Sequence, residues 1–190
     1  MGCFFALIFT LNSVSHVQMV KLNPLQLVLV GTALESAVFL FEVPTGVVAD
    51  ARSRRLSVIA GMFVMGLGFV LEGAWPLFGT VLAAQLVWGL GYTFVSGAQN
   101  AWIADEVGAE RVAPVYLRGA QFEQLGSLFG IPIGVWLGSQ RLNLPLLAGG
   151  ALYLLLGVFL ALCMPEEHFK PLPREERSSW RAMGGTLREG

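Results

Sequence analysis

Six long apolar runs, separated by short polar stretches, dominate the pattern of hydrophobic and polar positions along the chain. They cover approximately residues 1–20, 25–49, 56–75, 77–104, 112–138 and 143–164. Each run is close to the ~20 residues that an α-helix needs to cross the hydrocarbon core of a bilayer. Because lipid offers no partners for open backbone groups, helices are the expected structure for such runs. The pattern therefore predicts an all-α membrane protein with six transmembrane helices.

The basic residues are unevenly divided between the segments that connect the runs. With the N-terminus in the cytoplasm, ten of the twelve Lys and Arg residues fall on the inside: Arg52, Arg54, Arg55, Arg111, Arg118, Lys170, Arg174, Arg177, Arg181 and Arg188. Only Lys21 and Arg141 fall on the outside. Cytoplasmic segments of membrane proteins carry an excess of Lys and Arg. The bias predicts that both termini are cytoplasmic, in a protein of the plasma (cytoplasmic) membrane.

Composition supports the membrane class and sets the domain boundaries. Hydrophobic residues make up 55% of the chain and charged residues 13%, whereas soluble domains carry about 25% charged residues. We expect residues 1–165 to form one transmembrane domain and residues 166–190, which are charged and contain proline, to form a cytoplasmic linker. Cys3 and Cys163 both lie in apolar runs, so no disulfide framework is expected.

The stretch EVPTGVVADARSRR, which follows the second run, has the most specific pattern in the chain. It spans Glu42 to Arg55 and combines a glycine near a helix end, one acid and adjacent arginines. Gly46 permits a neighbouring helix to approach closely. Because the turn around Asp50 is short, we expect the second and third helices to be antiparallel neighbours.

This stretch resembles the loop motif of the major facilitator superfamily, in which Gly, three residues, Asp, a basic residue, any residue, Gly and two basic residues follow one another. Four positions carry the residues of the motif: Gly46, Asp50, Arg54 and Arg55. Ala51 stands where the family usually has a basic residue and Ser53 where it has the second glycine, while Arg52 can supply the displaced charge. The order of the runs and the loop lengths extend the resemblance over roughly the first 165 residues.

The resemblance implies a fold and a role for the loop. The fold is half of the superfamily structure, with six helices arranged as a 3+3 inverted repeat and substrate bound between two such halves. The loop would act as a conformational latch, in which Asp50 pairs with a helix of the second half. The arginines would pair with acids at the end of the fourth helix, present here as Asp105 and Glu106.

Ionisable residues at membrane depth are costly and usually functional. Glu35 lies near the middle of the second run, and Glu42, Gly46 and Asp50 follow on the same helical face. We expect this face to turn towards the interior of the bundle, with Glu35 on the transport path or, alternatively, hydrogen-bonded to a neighbouring helix. Glu123 in the fifth run is the second candidate, close enough to the cytoplasmic end to reach water.

The fourth run carries a polar stripe at spacings of three and four residues: Gln85, Gly89, Thr93, Ser96 and Asn100. Gln85 and Asn100 are therefore further candidates for the transport path. Many antiporters of the resembled family have an arginine early in this span, within an R-x-x-Q-G-x-G pattern. This chain has Gln85 in place of the arginine and Trp88 in place of the glutamine. The difference implies that a carboxylate such as Glu35 or Glu123 carries any coupled protons.

His16 and a glycine stripe in the fifth run are expected to have structural roles. His16, near the outer end of the first run, is expected to be an interfacial hydrogen-bonding residue, with the lining of a vestibule as the alternative. The fifth run has a glycine at every fourth position: Gly126, Gly130, Gly134 and Gly138. Such a smooth face favours close helix packing, and Pro132 makes a hinge the alternative.

The leading interpretation is secondary transport of a small solute by alternating access, such as drug or metabolite efflux, with protons as a candidate coupling ion. The alternative is a non-transporting membrane fragment or helper that binds a partner half. The chain stops at Gly190, within the central loop of the resembled family, so a C-terminal six-helix half or a second copy is the expected partner. The sequence has no nucleotide-binding loop, zinc pattern or catalytic constellation, so no cofactor, metal, nucleic acid or enzymatic activity is expected.

Overall fold

The chain folds into six α-helices in a computed structural model that describes residues 1–108 and 110–169. The helices are α1 (Gly2–Gln18), α2 (Pro24–Ala51), α3 (Arg54–Ala74), α4 (Phe78–Val107), α5 (Val112–Gln140) and α6 (Leu144–Cys163). Each coincides with one of the six apolar runs, and no strand occurs in the described ranges. The basic residues of the expected linker, from Lys170 to Arg188, lie outside the described residues.

Four of the six helices, α2, α3, α4 and α6, are long and apolar enough to cross a membrane by themselves. The other two differ from them for separate reasons. Helix α1 has only 17 residues. Helix α5 has 29 residues, but Arg118, Glu123 and several amide side chains lower its apolar character.

Local sequence accounts for where the helices begin. Asn23 accepts a hydrogen bond from the Gln26 amide, and the Gln26 side chain accepts one from the Asn23 amide, which forms a capping box before Pro24. Ser53 caps α3 by accepting a hydrogen bond from the Leu56 amide. Pro145 lies in the first turn of α6, where a proline removes no helical hydrogen bond.

The helix contacts have the symmetry of an inverted repeat. Helix α1 packs along α5 and α4 packs along α2, and these two pairs exchange when α1–α3 are superposed on α4–α6. The contact of α3 with α6 maps onto itself. The contact of α3 with α4 maps onto that of α6 with α1, although the α3–α4 contact is far more extensive. The chain is therefore a 3+3 bundle in which the α3–α4 contact is tight and the equivalent α1–α6 contact is loose.

The glycine stripe of α5 lies against α1, as the packing interpretation predicts. A Cβ atom added to Gly130 would overlap the carbonyl oxygen of Cys3, and one added to Gly134 would lie 2.7 Å from the carbonyl oxygen of Leu7. Gly61 and Gly91 make a similar approach between α3 and α4. Backbones in these two contacts are too close for any side chain, so glycine sets the helix spacing. Pro132 lies within a continuous α5 helix.

Burial is concentrated in α3 and is sparse in α2 and α5. Eleven residues of α3 are buried, compared with three in α5. The buried face of α2 consists of Val30, Ala37, Thr45 and Ala49, and large apolar side chains such as Phe39 and Phe122 are exposed on α2 and α5. Helices α3, α4 and α6 therefore form the packed centre, with α2 and α5 at its flanks.

Both ends of the described chain lie at the same end of the bundle. Met1 and Gly2 line a cavity together with Asn100 and Tyr116. The Ser53 hydroxyl, before α3, donates to Glu166, after α6. The Tyr116 hydroxyl, near the start of α5, donates to the Asn100 carbonyl near the end of α4. We call this the Arg54 end, and the opposite end, where α3 finishes, the Glu72 end.

Candidate functional site

The arginine of the motif loop joins two acids at the Arg54 end. The guanidinium of Arg54 lies 3.1 Å from a carboxylate oxygen of Asp50, one turn earlier in the chain. It also pairs closely with the carboxylate of Asp105, and it donates to the carbonyl of Ala101 at 3.1 Å. Arg54 thus bridges the end of α2 to the end of α4. Within the described residues, Asp50 therefore pairs with this arginine of its own loop.

Arg55 and Glu106 contact the chain that follows α6, which we call the α6 tail (residues 165–169). Glu166 accepts hydrogen bonds from the Arg55 amide at 2.9 Å and from the Ser53 hydroxyl at 2.6 Å. Glu106 accepts from the amides of Glu167 and His168. Hence the second acid of α4 binds the α6 tail, and among the described residues only Asp105 of the two acids binds an arginine of the motif.

Two further contacts hold the α6 tail across the ends of α3 and α4. The indole nitrogen of Trp102 donates to the carbonyl of Pro165 at 2.7 Å. The guanidinium of Arg54 lies 5.8 Å from the centre of the Phe169 ring, within cation–π range. The sequence did not predict this docking of the α6 tail, because its charge indicates an exposed linker and no helical periodicity marks it.

The remaining motif positions face open space. Arg52 is exposed and takes part in none of the ion pairs of the described residues. A Cβ atom on Gly46 would meet nothing within 4 Å. The close neighbour expected for Gly46 is therefore not one of these six helices, because the side of α2 that packs on α4 is the one with Ala37 and Thr45.

A partly open cavity of about 560 Å³ lies between α1, α4 and α5. Five aromatic side chains contribute to its wall: Phe5, Phe69, Trp88, Tyr92 and Tyr153. Polar groups come from α4 and α5: Ser96, Gln99, Asn100, Glu123, Gln124 and Ser127. Asn100 and Glu123, both predicted for the transport path, therefore lie on one cavity. The Glu123 carboxylate is exposed and forms no ion pair among the described residues.

Gln85, also predicted for the path, is buried and is not part of the cavity wall. Its amide nitrogen donates to Glu72 at 3.0 Å, and its amide oxygen accepts from the Trp88 indole at 2.8 Å. Glu72 in turn lies 2.7 Å from Nε2 of His16. His16 therefore forms a hydrogen bond, as the sequence predicts, and its imidazole is buried against a carboxylate within the bundle. Its position at the membrane interface stays a prediction.

Glu35 is not buried by these six helices. Its face of α2 was expected to turn towards the inner surface of the bundle, where a second half would dock, and this stays a prediction. It is exposed, as is Glu42, and it lines neither the cavity between α1, α4 and α5 nor a second cavity bounded by the same three helices. The physical reason is that α2 contacts α4 through Ala37, which lies beside Gly89, and through Thr45, which donates to a backbone carbonyl of α4. These two residues of α2 lie about 160° and 80° around the helix from Glu35. Its place on the transport path stays a prediction.

Glu72 is the functional candidate that the sequence reasoning overlooked. It lies two residues before the end of α3 and is 2% exposed. A lone carboxylate within an apolar run marks a functional position, so the sequence did contain the signal. Among the described residues, no cluster of three or more His, Cys, Asp or Glu side chains could hold a metal ion.

Six apolar helices with glycine-mediated packing and buried polar groups define an integral membrane protein of the helical class. The profile of the Major Facilitator Superfamily matches residues 1–188. The chain belongs to this superfamily, as its motif loop predicts.

One relative is the "Uncharacterized MFS-type transporter YxaM" of Bacillus subtilis (strain 168). It is 26% identical to this chain over 138 residues, which are 73% of this chain and 35% of the relative. The chain therefore matches only about a third of that protein's length.

Proposed function

We propose that this chain forms one wall of a secondary transporter that moves a small solute by alternating access. The observation that carries the proposal is the cavity between α1, α4 and α5, because a solute pathway needs polar groups within an otherwise apolar bundle. Membership of the superfamily and the similarity to an MFS-type transporter support the same class of function.

The second wall would come from a C-terminal six-helix half or from a second copy of this chain. The faces of α2 and α5 that are exposed in the single bundle support this arrangement. They carry Glu35, Gly46 and Gly119, and a Cβ atom on either glycine would meet nothing within 4 Å. In the proposed assembly both termini are cytoplasmic and the membrane is the plasma membrane, as the distribution of Lys and Arg predicts.

The cavity wall favours a compact solute with an apolar or cationic part. Faces of Trp88 and Tyr92 attract cations, and the exposed carboxylate of Glu123 supplies negative charge on the opposite helix. The amides of Asn100 and Gln124 can orient polar groups of the solute. Drug or metabolite efflux driven by a proton gradient fits this wall.

Arg54 would act as the latch of the transport cycle. Its simultaneous contacts with Asp50 and Asp105 hold the ends of α2 and α4 together. An ion-pair network between helix ends can favour one arrangement of the bundle over another. Ligand binding can then shift the balance between the two arrangements.

The test is flux into proteoliposomes that contain the complete gene product, with and without a pH gradient, using a panel of aromatic cations and neutral aromatic solutes. We expect gradient-dependent flux of at least one cation, reduced several-fold by Glu123→Gln. Glu110→Gln is the matched control, because Glu110 is exposed in the α4–α5 connection and should not alter flux. Absence of flux or exchange for every solute in the panel would contradict the proposal and favour a non-transporting helper.

A further inference from the structure

A chain of four buried polar groups connects three helices near the Glu72 end. His16 of α1 contacts Glu72 of α3, Glu72 contacts Gln85 of α4, and Gln85 contacts Trp88 one turn further along α4. The three hydrogen bonds measure 2.7, 3.0 and 2.8 Å. All four residues are less than a tenth exposed. Polar groups held this far from water are costly unless each is satisfied.

The hydrogen bonds between these four polar groups have a defined donor–acceptor direction, because an indole nitrogen can only donate. Trp88 must therefore face the amide oxygen of Gln85, which leaves the amide nitrogen to face Glu72. Oε2 of Glu72 then has to accept that bond and cannot carry a proton. A proton shared by the acid and the imidazole is consequently confined to the contact between Oε1 of Glu72 and Nε2 of His16.

Loss or gain of this proton changes the buried charge of the site. Imidazolium with carboxylate, or imidazole with carboxylic acid, leaves the pair neutral. Removal of one proton leaves a carboxylate beside a neutral imidazole and a net charge of −1. An uncompensated charge inside the bundle is destabilising, so the two states must differ in how strongly Glu72 binds its other donor, Gln85.

The other titratable groups around the pair do not compensate its charge. Lys21 and Arg141 lie in the connections at this end, and neither is ion-paired with Glu72. Tyr92 of α4 and Tyr153 of α6 face the cavity instead. Asn12 and Ser15, on α1 beside His16, are buried and carry oxygen atoms that have no hydrogen-bond partner within the described residues. They offer alternative partners to a rearranged imidazole.

Trp88 connects the hydrogen-bonded polar groups to the wall of the cavity. Its indole stacks on Phe69 with ring centres 5.5 Å apart and meets the edge of Tyr92 at 6.2 Å, and all three residues line the cavity. A change in the hydrogen bond from Trp88 to Gln85 therefore alters the orientation of an aromatic wall that touches the solute.

We propose that His16 and Glu72 form a proton-binding site that is coupled to the solute cavity through Gln85 and Trp88. Coupling of this kind is reciprocal, so protonation changes the affinity for solute and solute changes the affinity for the proton by the same factor. The use of this coupling for transport rests on the proposed function. The coupling itself can be measured without transport.

Fluorine NMR of the full chain in lipid nanodiscs, labelled with fluorotryptophan, tests the proposal. The chain has five tryptophans, and Trp88→Phe assigns the resonance of interest. We expect the Trp88 resonance to shift when the pH of the sample is changed, because protonation of the pair alters the hydrogen bond from Gln85 to Glu72. The shift should be lost in His16→Gln and in Glu72→Gln. Ser96→Ala, in the cavity wall but outside the chain of polar groups, is the control and should leave it unchanged.

A second measurement separates a coupled site from a purely structural pair. The chain has two histidines, and His168 is exposed, so nitrogen NMR of His168→Gln reports the protonation of His16 alone. Added Gln85→Met should leave the His16 titration in place but abolish the response of Trp88. The dispersion of the other tryptophan resonances shows whether each variant is folded.

A Trp88 resonance that does not move with pH would overturn the proposal, as would a response that persists in folded Gln85→Met protein. Either result would leave the proposed transport function standing, because that function is tested by solute flux. Conversely, absence of flux with a pH-dependent Trp88 resonance would refute the transport proposal and keep the coupled proton site.

Discussion

At the scale of single residues, the buried pair of His16 and Glu72 is expected to be sensitive to substitution. Both side chains are almost completely enclosed. The net stabilisation from such a pair is small, because desolvation offsets the attraction between the charges. Removal of one partner is different, because it leaves the other without compensation.

We expect His16→Leu to lower the free energy of unfolding by about 3–5 kcal/mol at neutral pH. The double variant His16→Leu, Glu72→Gln should recover most of the stability, since the substituted amide still accepts from Gln85 without carrying charge. Denaturant titration in detergent, followed by circular dichroism, provides the measurement. A double variant no more stable than the single one would contradict this account.

Sequence reasoning at this scale identified the polar residues more readily than their partners. Gln85, Asn100 and Glu123 were singled out because each interrupts an apolar helix. The pairing of His16 with Glu72 could not be derived, because 56 positions separate the two residues and only the arrangement of the whole bundle brings their side chains together. Glu35 shows the limit of periodicity, which defines a helical face but not whether one of these six helices or a second half covers it.

At the scale of helices, the spacing between α1 and α5 depends on residues that have no side chain. Gly130 touches the backbone of Cys3, whereas Gly119, about three turns earlier on the same helix, faces open space. Because of this difference, alanine substitutions at the two glycines can measure how much the close contact between α1 and α5 contributes to stability.

Gly130→Ala should destabilise the chain by about 1–3 kcal/mol, because the added methyl group forces α1 away from α5. Gly119→Ala should be neutral or stabilising by up to about 1 kcal/mol, because alanine is the better helix former. Thermal unfolding of both variants in the same detergent tests this. Equal effects at the two positions would show that the stripe does not set the spacing.

The ends of α2, α3 and α4 meet at Arg54, where charge takes the place of apolar packing. Arg54→Gln leaves Asp50 and Asp105 without their common cation, so we expect a loss of about 1 kcal/mol, near the upper range for partly exposed pairs. The loss should be smaller at high salt, because ions screen the remaining repulsion. Arg52→Gln, which alters an exposed arginine of the same loop, should have no measurable effect in the same unfolding assay.

The sequence predicted the ion pair of the motif better than the contacts that Glu106 makes with the α6 tail. Arg54 and Asp105 were expected to pair from the resemblance to the superfamily, and the structure shows them in contact. Glu106, which was expected to share this role, instead accepts bonds from backbone amides of the α6 tail. Such bonds depend on the path of the chain after α6, which no local pattern specifies.

At the scale of the whole molecule, the order and number of helices follow from hydrophobicity alone. Helix ends differ from the six predicted runs by only a few residues. The uneven contacts of the two repeats could not be predicted in this way, because they depend on which small residues meet, such as Gly61 with Gly91 between α3 and α4.

The proposed orientation has a direct test in a background with Cys3→Ala and Cys163→Ala. A single added cysteine, Arg111→Cys, should react with a membrane-impermeant maleimide only from the cytoplasmic side, and Lys21→Cys only from the outside, as the positive-inside bias requires. Labelling of intact and inverted vesicles, read by gel shift, distinguishes the two sides. Reaction of both positions from one side would refute the predicted topology.

The α6 tail determines where force can enter the bundle. The Glu166 carboxylate and the backbone of the tail are attached to α3 and α4 through Ser53, Trp102 and Glu106, and Phe169 lies beside Arg54. Tension or compression applied after residue 169 is therefore delivered to the junction of α2, α3 and α4, bypassing α6. A tethered partner would consequently pull on the same junction that Arg54 holds together.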